Sequence, residues 1–149
     1  MLVGHAVGGE TALKHLVYVQ RIQRVGVAVP LQGTLQQLFP LLSGDVRDYD
    51  EGDTVAVGGL TVTVLATPGH SEGSVTLRCQ DALFCGDTLF AGSCGRTDFV
   101  GGSMTTLMDS LARLGRLTGN YRVLPGHMEP SDLDTERRMN PYLIQAMRK

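Results

Sequence analysis

Residues 60–70 read LTVTVLATPGH, and residues 121–127 read YRVLPGH. Each stretch is an apolar, strand-like run that ends in Pro-Gly-His, and together they use half of the chain's four histidines. Proline and glycine are what a tight turn beyond a strand requires, but histidine is not. Two strands that each hand an imidazole to the residue after a turn imply two ring nitrogens delivered to one place.

Working outward, residues 54–67, TVAVGGLTVTVLAT, read as a hairpin: alternating strand, Gly-Gly turn, alternating strand. SVTLRCQ (74–80) and DALFCGD (81–87) form a second strand pair with its turn near Gln80-Asp81. Residues 103–117 carry apolar side chains at 104, 107, 108, 111, 114 and 117, the stripe of an amphipathic helix, with Ser103 as its cap. YRVL is a short strand, and residues 131–148 read as closing helices broken at Asn140-Pro141. Arg137 and Arg138 are expected on a solvated helix face. Upstream, residues 10–16 suggest a helix carrying His15, residues 17–20 a strand, and residues 31–42 a helical pattern that Pro40 interrupts. Strands in the middle with helices toward both ends predict one layered α/β (α+β) domain over residues 1–149.

Composition narrows the function classes. A hydrophobic share of 42% with 19% charged residues is that of a globular chain, and a formal charge of −2 leaves no basic footprint for nucleic acid. No apolar run is long enough to span a membrane, and no basic-then-apolar leader opens the sequence; a cytoplasmic location is the default expectation. Cys79, Cys85 and Cys94 have an odd count and no CxxC spacing, so core positions are expected for them, not a disulfide framework or a zinc knuckle.

Four polar residues follow predicted strands: His70, Asp87, Asp98 and His127. Asp87 stands between LFCG and TLF, and a carboxylate at the end of so apolar a segment is costly to bury unless paired or bound to a cation. Two imidazoles and a carboxylate at strand ends make a ligand set for zinc, iron or manganese. In the segment GRTDF, Arg96 and Asp98 are expected to pair and to shape the site wall.

TPGHSEGS, LFCGDTLFAGSCGRTDF, LPGH and ERRMNPYL, in this order over residues 50–145, resemble the metallo-β-lactamase superfamily, and within it the glyoxalase II-like branch. The resemblance implies an αββα sandwich with a metal site along one edge of the packed sheets. It implies that His70 binds a first metal ion, that Asp87 bridges two ions, and that His127 binds the second. The family places an HxHxDH motif ahead of a Gly-Gly and a helix; the matching stretch here is MLVGHAVGGETALKH, in which only His5 remains as a ligand. The sandwich is accordingly expected to be incomplete at the N-terminus, with its leading strands missing. A homodimer or partner segment would cover the exposed sheet edge.

The activity this implies is metal-dependent hydrolysis of a small thioester or ester, with one or two zinc ions and Asp87 central to the chemistry. Slow turnover is expected for a shell that lacks the motif. A mononuclear iron dioxygenase acting on a persulfide through His70, Asp87 and one more histidine is the alternative, and a non-catalytic remnant of the fold is a third reading.

Overall fold

The computed structural model describes residues 49–148. His5 and the elements expected within residues 10–42 lie outside the described residues.

Strands β1 (Thr54–Val57) and β2 (Leu60–Ala66) form the expected hairpin, with Val57 opposite Leu60 and Gly58 at φ +59° in the two-residue turn. Strands β3 (Val75–Cys79) and β4 (Ala82–Gly86) form the second antiparallel pair, turning through Gln80 at φ +50°. A short ribbon, β5 (Leu89–Phe90) and β6 (Ser93–Cys94), leads into helix α1 (Met104–Gly115). Strand β7 (Arg122–Pro125) then returns parallel to β4, and α1 belongs to the crossover that a parallel pair requires. Strand β8 (Ser131–Asp132), helix α2 (Leu133–Met139) and helix α3 (Pro141–Met147) close the described chain. Among the described residues the main sheet has six strands, in the order β1-β2-β3-β4-β7-β8.

Alternation along the strands sends side chains to two buried faces. Leu65, Leu83, Cys85 and Val123 pack with Leu107, Leu111 and Leu114 of α1 and with Leu143 of α3. Val62, Val64, Leu77, Phe84 and Leu124 form a separate cluster. A sheet apolar on both sides is what a layered α/β architecture demands.

Ser103 caps α1 as expected: its hydroxyl accepts from the backbone N–H of Thr106 at 3.3 Å. Met104 departs from the expected stripe and is exposed, because it sits in the first turn before the helix reaches the sheet. That first turn lies on the loop beyond β2. Ser103 N–H donates to the Gly69 carbonyl at 2.8 Å, and a side-chain carbon on Gly69 (φ +138°) would fall 2.4 Å from Leu107 Cα. The glycine of the first Pro-Gly-His is there so that the helix can rest on the backbone.

Arg137 corrects the expectation of a solvated arginine pair. Its guanidinium donates to the carbonyls of Gly115 and Gly119, both at 2.9 Å, and of Leu117, closing the C-terminal end of α1; only Arg138 is exposed. Carbonyls at a helix end need such donors. Arg137→Ala should therefore cost about 1.5–3 kcal/mol, the range for hydrogen bonds from a charged donor. Arg138→Ala should stay within about 0.5 kcal/mol, as an exposed change does. Urea unfolding midpoints of the two variants check this, and equal losses would refute it.

Candidate metal centre

The sheet topology explains why the singled-out residues meet. β2 is antiparallel to β3 and β3 to β4, so β2 and β4 run the same way, and β7 is parallel to β4. The C-terminal ends of β2, β4 and β7 therefore share one rim, where the chain carries His70, Asp87 and His127 just beyond them. Asp87 Oδ2 lies 3.2 Å from His70 Nε2, and Asp87 Oδ1 lies 3.3 Å from His127 Nε2. One carboxylate thus faces two imidazoles, one on each oxygen.

The two histidines are held differently. His70 Nδ1 lies 2.8 Å from the Arg96 carbonyl oxygen. A carbonyl can only accept, so Nδ1 carries a proton, and in the neutral ring Nε2 turns its lone pair toward Asp87. The Phe99 and His70 rings stand T-shaped to each other at 5.0 Å between centroids. His127 rests on Phe90 at 4.6 Å, but its side chain is 58% exposed, against 3% for Asp87. The residue after it, Met128, sits at φ +70°, an unusual backbone for a non-glycine residue.

GRTDF proves to be the support of His70. Gly95 passes so near Asp87 that a side-chain carbon there would be 1.8 Å from the Asp87 carbonyl oxygen. Arg96 lends its carbonyl to His70, while its guanidinium forms the expected pair with Asp98, at 2.6 and 2.7 Å, and lies 4.6 Å over the Phe99 ring. Asp98 is thus engaged by Arg96 and stands apart from the His70–Asp87–His127 group.

The Arg96 guanidinium holds the Asp98 carboxyl down at about 2. A lowered carboxyl pKa means that the pair contributes fully above the ordinary carboxylate range and is lost as pH falls through about 2. An NMR titration of Asp98 should show that midpoint in the parent and a return toward 3.8 in Arg96→Ala; an unchanged midpoint would mean that the pair does not form.

Cysteine offers the rim no thiolate. Burial pushes Cys85 up to about 12 and raises Cys94 as well, in keeping with the near-core positions expected for both. Cys79 is buried too. Among the described residues no group of three or more His, Cys, Asp or Glu side chains is arranged to hold an ion by itself. The rim presents two donor pairs that share Asp87.

A family model, the metallo-beta-lactamase superfamily, matches residues 4–127, which takes in both Pro-Gly-His turns and Asp87. The chain belongs to the metallo-β-lactamase superfamily. The superfamily binds metal ions, and its fold is the mixed sheet with helices described above. Mouse mitochondrial persulfide dioxygenase ETHE1 is 35% identical over 135 residues, an alignment covering 85% of this chain and 53% of the mouse protein. The crystal structure of ETHE1 from Myxococcus xanthus superposes with a TM-score of 0.63 at 33% identity, covering 78% of this chain and 61% of that one. TTHA1623, solved in a di-iron-bound form, gives 0.58 at 40% identity over 65% of this chain and 48% of that one. The chain spans less than two thirds of the length of the curated relatives it matches. The superfamily resemblance read from the sequence holds; for the branch, the mouse relative carries the persulfide dioxygenase name and the Myxococcus structure the ETHE1 name, and none of the three carries that of glyoxalase II. Among the described residues no helix is long and apolar enough to cross a membrane.

The main-chain carbonyl of Arg96 and the ring of Phe90 are the site features that the sequence did not disclose. A carbonyl has no residue type to signal it.

Proposed function

We propose that His70 Nε2 and Asp87 hold one divalent metal ion, iron foremost, and that the protein oxidises the sulfur of a small persulfide with dioxygen. The observation that carries this reading is the unequal support of the two imidazoles. His70 is oriented by a backbone carbonyl and an aromatic ring, as an imidazole ligand is in metal proteins, whereas among the described residues no group holds Nδ1 of the exposed His127.

The donor chemistry fits a cation. With Nδ1 protonated, His70 Nε2 and Asp87 Oδ2 oppose lone pairs across 3.2 Å, an arrangement that repels unless a proton or metal ion relieves it. Donors that each stand about 2.0–2.2 Å from one ion are separated by about 2.8–3.6 Å, between octahedral and tetrahedral angles, a range that includes this pair. Two histidines and a carboxylate with open positions suit non-haem iron and dioxygen chemistry, and His5 is the second histidine of our sequence reading. When bound, iron supplies the redox chemistry by which dioxygen oxidises sulfur. The protein's own part is to fix the donors: Arg96 sets the His70 tautomer, Phe99 sets its ring plane, and Gly95 lets the two loops close on each other. The names of the two ETHE1 relatives and the di-iron form of TTHA1623 support iron and sulfur chemistry.

A second reading is hydrolysis of a small thioester by two zinc ions, with Asp87 bridging and His127 binding the second ion. It is favoured by the 3.3 Å approach of His127 to the other oxygen of the same carboxylate. A metal pair of this kind lowers the pKa of a shared water.

Elemental analysis of the full chain, purified without added metal and then reconstituted with Fe(II) or Zn(II), separates the two. One iron per chain with oxygen consumption on a small alkyl persulfide supports the first. Two zinc ions with thiol release from a thioester and no oxygen uptake replaces it with the second. Failure to retain either ion overturns both.

A further inference from the structure

The segment ERRMNP plays no part in the donor set, yet it holds the most densely bonded buried polar pair among the described residues. Glu136 and Asn140 stand at the two ends of the last turn of α2 and are both buried. Asn140 Nδ2 donates to the carbonyl oxygens of Phe90, at 3.1 Å, and Ser93, at 2.9 Å, and to Glu136 Oε2 at 2.8 Å. Phe90 and Ser93 are register partners, so one amide group grips both strands of the β5–β6 ribbon. Glu136 takes the tip of the ribbon, its Oε2 accepting from the Gly92 N–H at 2.8 Å, while Oε1 accepts from the Ser131 hydroxyl at 2.5 Å. Asn140 Oδ1 meanwhile caps α3, accepting from the N–H groups of Tyr142 and Leu143.

The ribbon is the shared mounting of both imidazoles. Through Phe90 it backs His127; through Gly95 and Arg96, which follow β6 directly, it reaches the carbonyl that orients His70. Gly95 N–H also donates to the Thr88 carbonyl at 3.2 Å, tying the exit of the ribbon to the residue beside Asp87. We propose that Glu136 and Asn140 are positioning residues: they clasp the β5–β6 ribbon and so fix where both imidazoles stand about Asp87. For metal affinity this rests on the donor set proposed above; for the order of the two rings it does not.

The test uses the full chain as Asn140→Ser, which keeps a cap for α3 but cannot reach the ribbon. Val62→Ala, a cavity on the opposite face of the sheet, serves as the comparison for general destabilisation. Imidazole resonances of His70 and His127, recorded without metal, should shift or broaden in Asn140→Ser and stay at parent positions in Val62→Ala. Zinc affinity should fall about tenfold or more in Asn140→Ser alone, because a released ribbon displaces the Arg96 carbonyl, the outer partner of His70. If Asn140→Ser does not fold, Glu136→Ala decides by the same comparison, since it removes the acceptor of both the Gly92 N–H and the Asn140 amide. Parent-like imidazole signals in the ribbon variant, or equal changes in Val62→Ala, overturn the proposal. A parent chain that binds no zinc or iron overturns the donor-set reading instead, and the imidazole comparison still decides this one.

Discussion

Gly95→Ala is expected to abolish metal binding and to cost upward of about 3 kcal/mol in folding stability, the upper range for forced overpacking. The added carbon would lie 1.8 Å from the Asp87 carbonyl oxygen and 3.5 Å from His70 Cβ. The first neighbour is backbone, so relief requires the loop after β6 to part from the loop after β4. That movement carries away the Arg96 carbonyl and frees the His70 ring. Gly115→Ala meets Met147 Sδ at 2.7 Å, the mobile end of a flexible side chain, and should cost less. Gly59→Ala meets nothing and should be near neutral. Urea unfolding with a zinc titration of each variant checks the order. A Gly95→Ala protein with parent stability and affinity would mean that the two loops are not in contact.

Asp87→Asn should separate binding from folding. The substitution removes the proposed ligand that faces both imidazoles, so metal affinity should fall by more than the roughly 100-fold that loss of an outer partner produces. Without metal, the same change should leave the fold intact or stabilise it. A carboxylate that is 3% exposed is costly to bury as an anion, and an amide of the same shape can donate to a histidine lone pair. Thermal midpoints in chelator, set beside zinc and iron titrations, measure both effects. His127→Ala is the comparison: with one ion held by His70 and Asp87 its affinity loss is the smaller, and with a bridged pair of ions it removes half of the metal. Undiminished affinity in Asp87→Asn would place the ion elsewhere.

What the sequence disclosed was local. The Gly-Gly hairpin, the Ser103 cap, the break at Asn140-Pro141 and the Arg96–Asp98 pair are each written within a few residues, where turn and capping chemistry acts. The meeting of His70, Asp87 and His127 was legible because the same strand-then-turn pattern recurs, and parallel strand direction puts like ends together. The rest depended on contacts between distant parts of the chain. Asn140 grips Phe90 from 50 residues away, Arg137 closes α1 from 22 residues beyond Gly115, and the orienter of His70 is a main-chain atom. Arg137 read as a solvated side chain because charge pattern on a helix says nothing about which helix end lies opposite. The split between thioester and persulfide chemistry turns on the full ligand shell, and His70, Asp87 and His127 are the donors we propose for it.

The common direction of β2, β4 and β7 also divides the molecule for anyone who wishes to rebuild it. Every residue offered for chemistry stands beyond their C-terminal ends. The hairpin turn at Gly58-Gly59, the Gln80-Asp81 turn and the approach to β7 at Asn120-Tyr121 all lie at the opposite ends of the same strands. The two hairpin turns are the attachment points for an inserted peptide, a dye or a surface tether, since whatever is grafted there is a strand's length from the imidazoles, whereas Asn120-Tyr121 is tied to the start of α2. The loops after Ala66, Gly86 and Pro125 offer no such freedom, and a library meant to alter substrate preference belongs there.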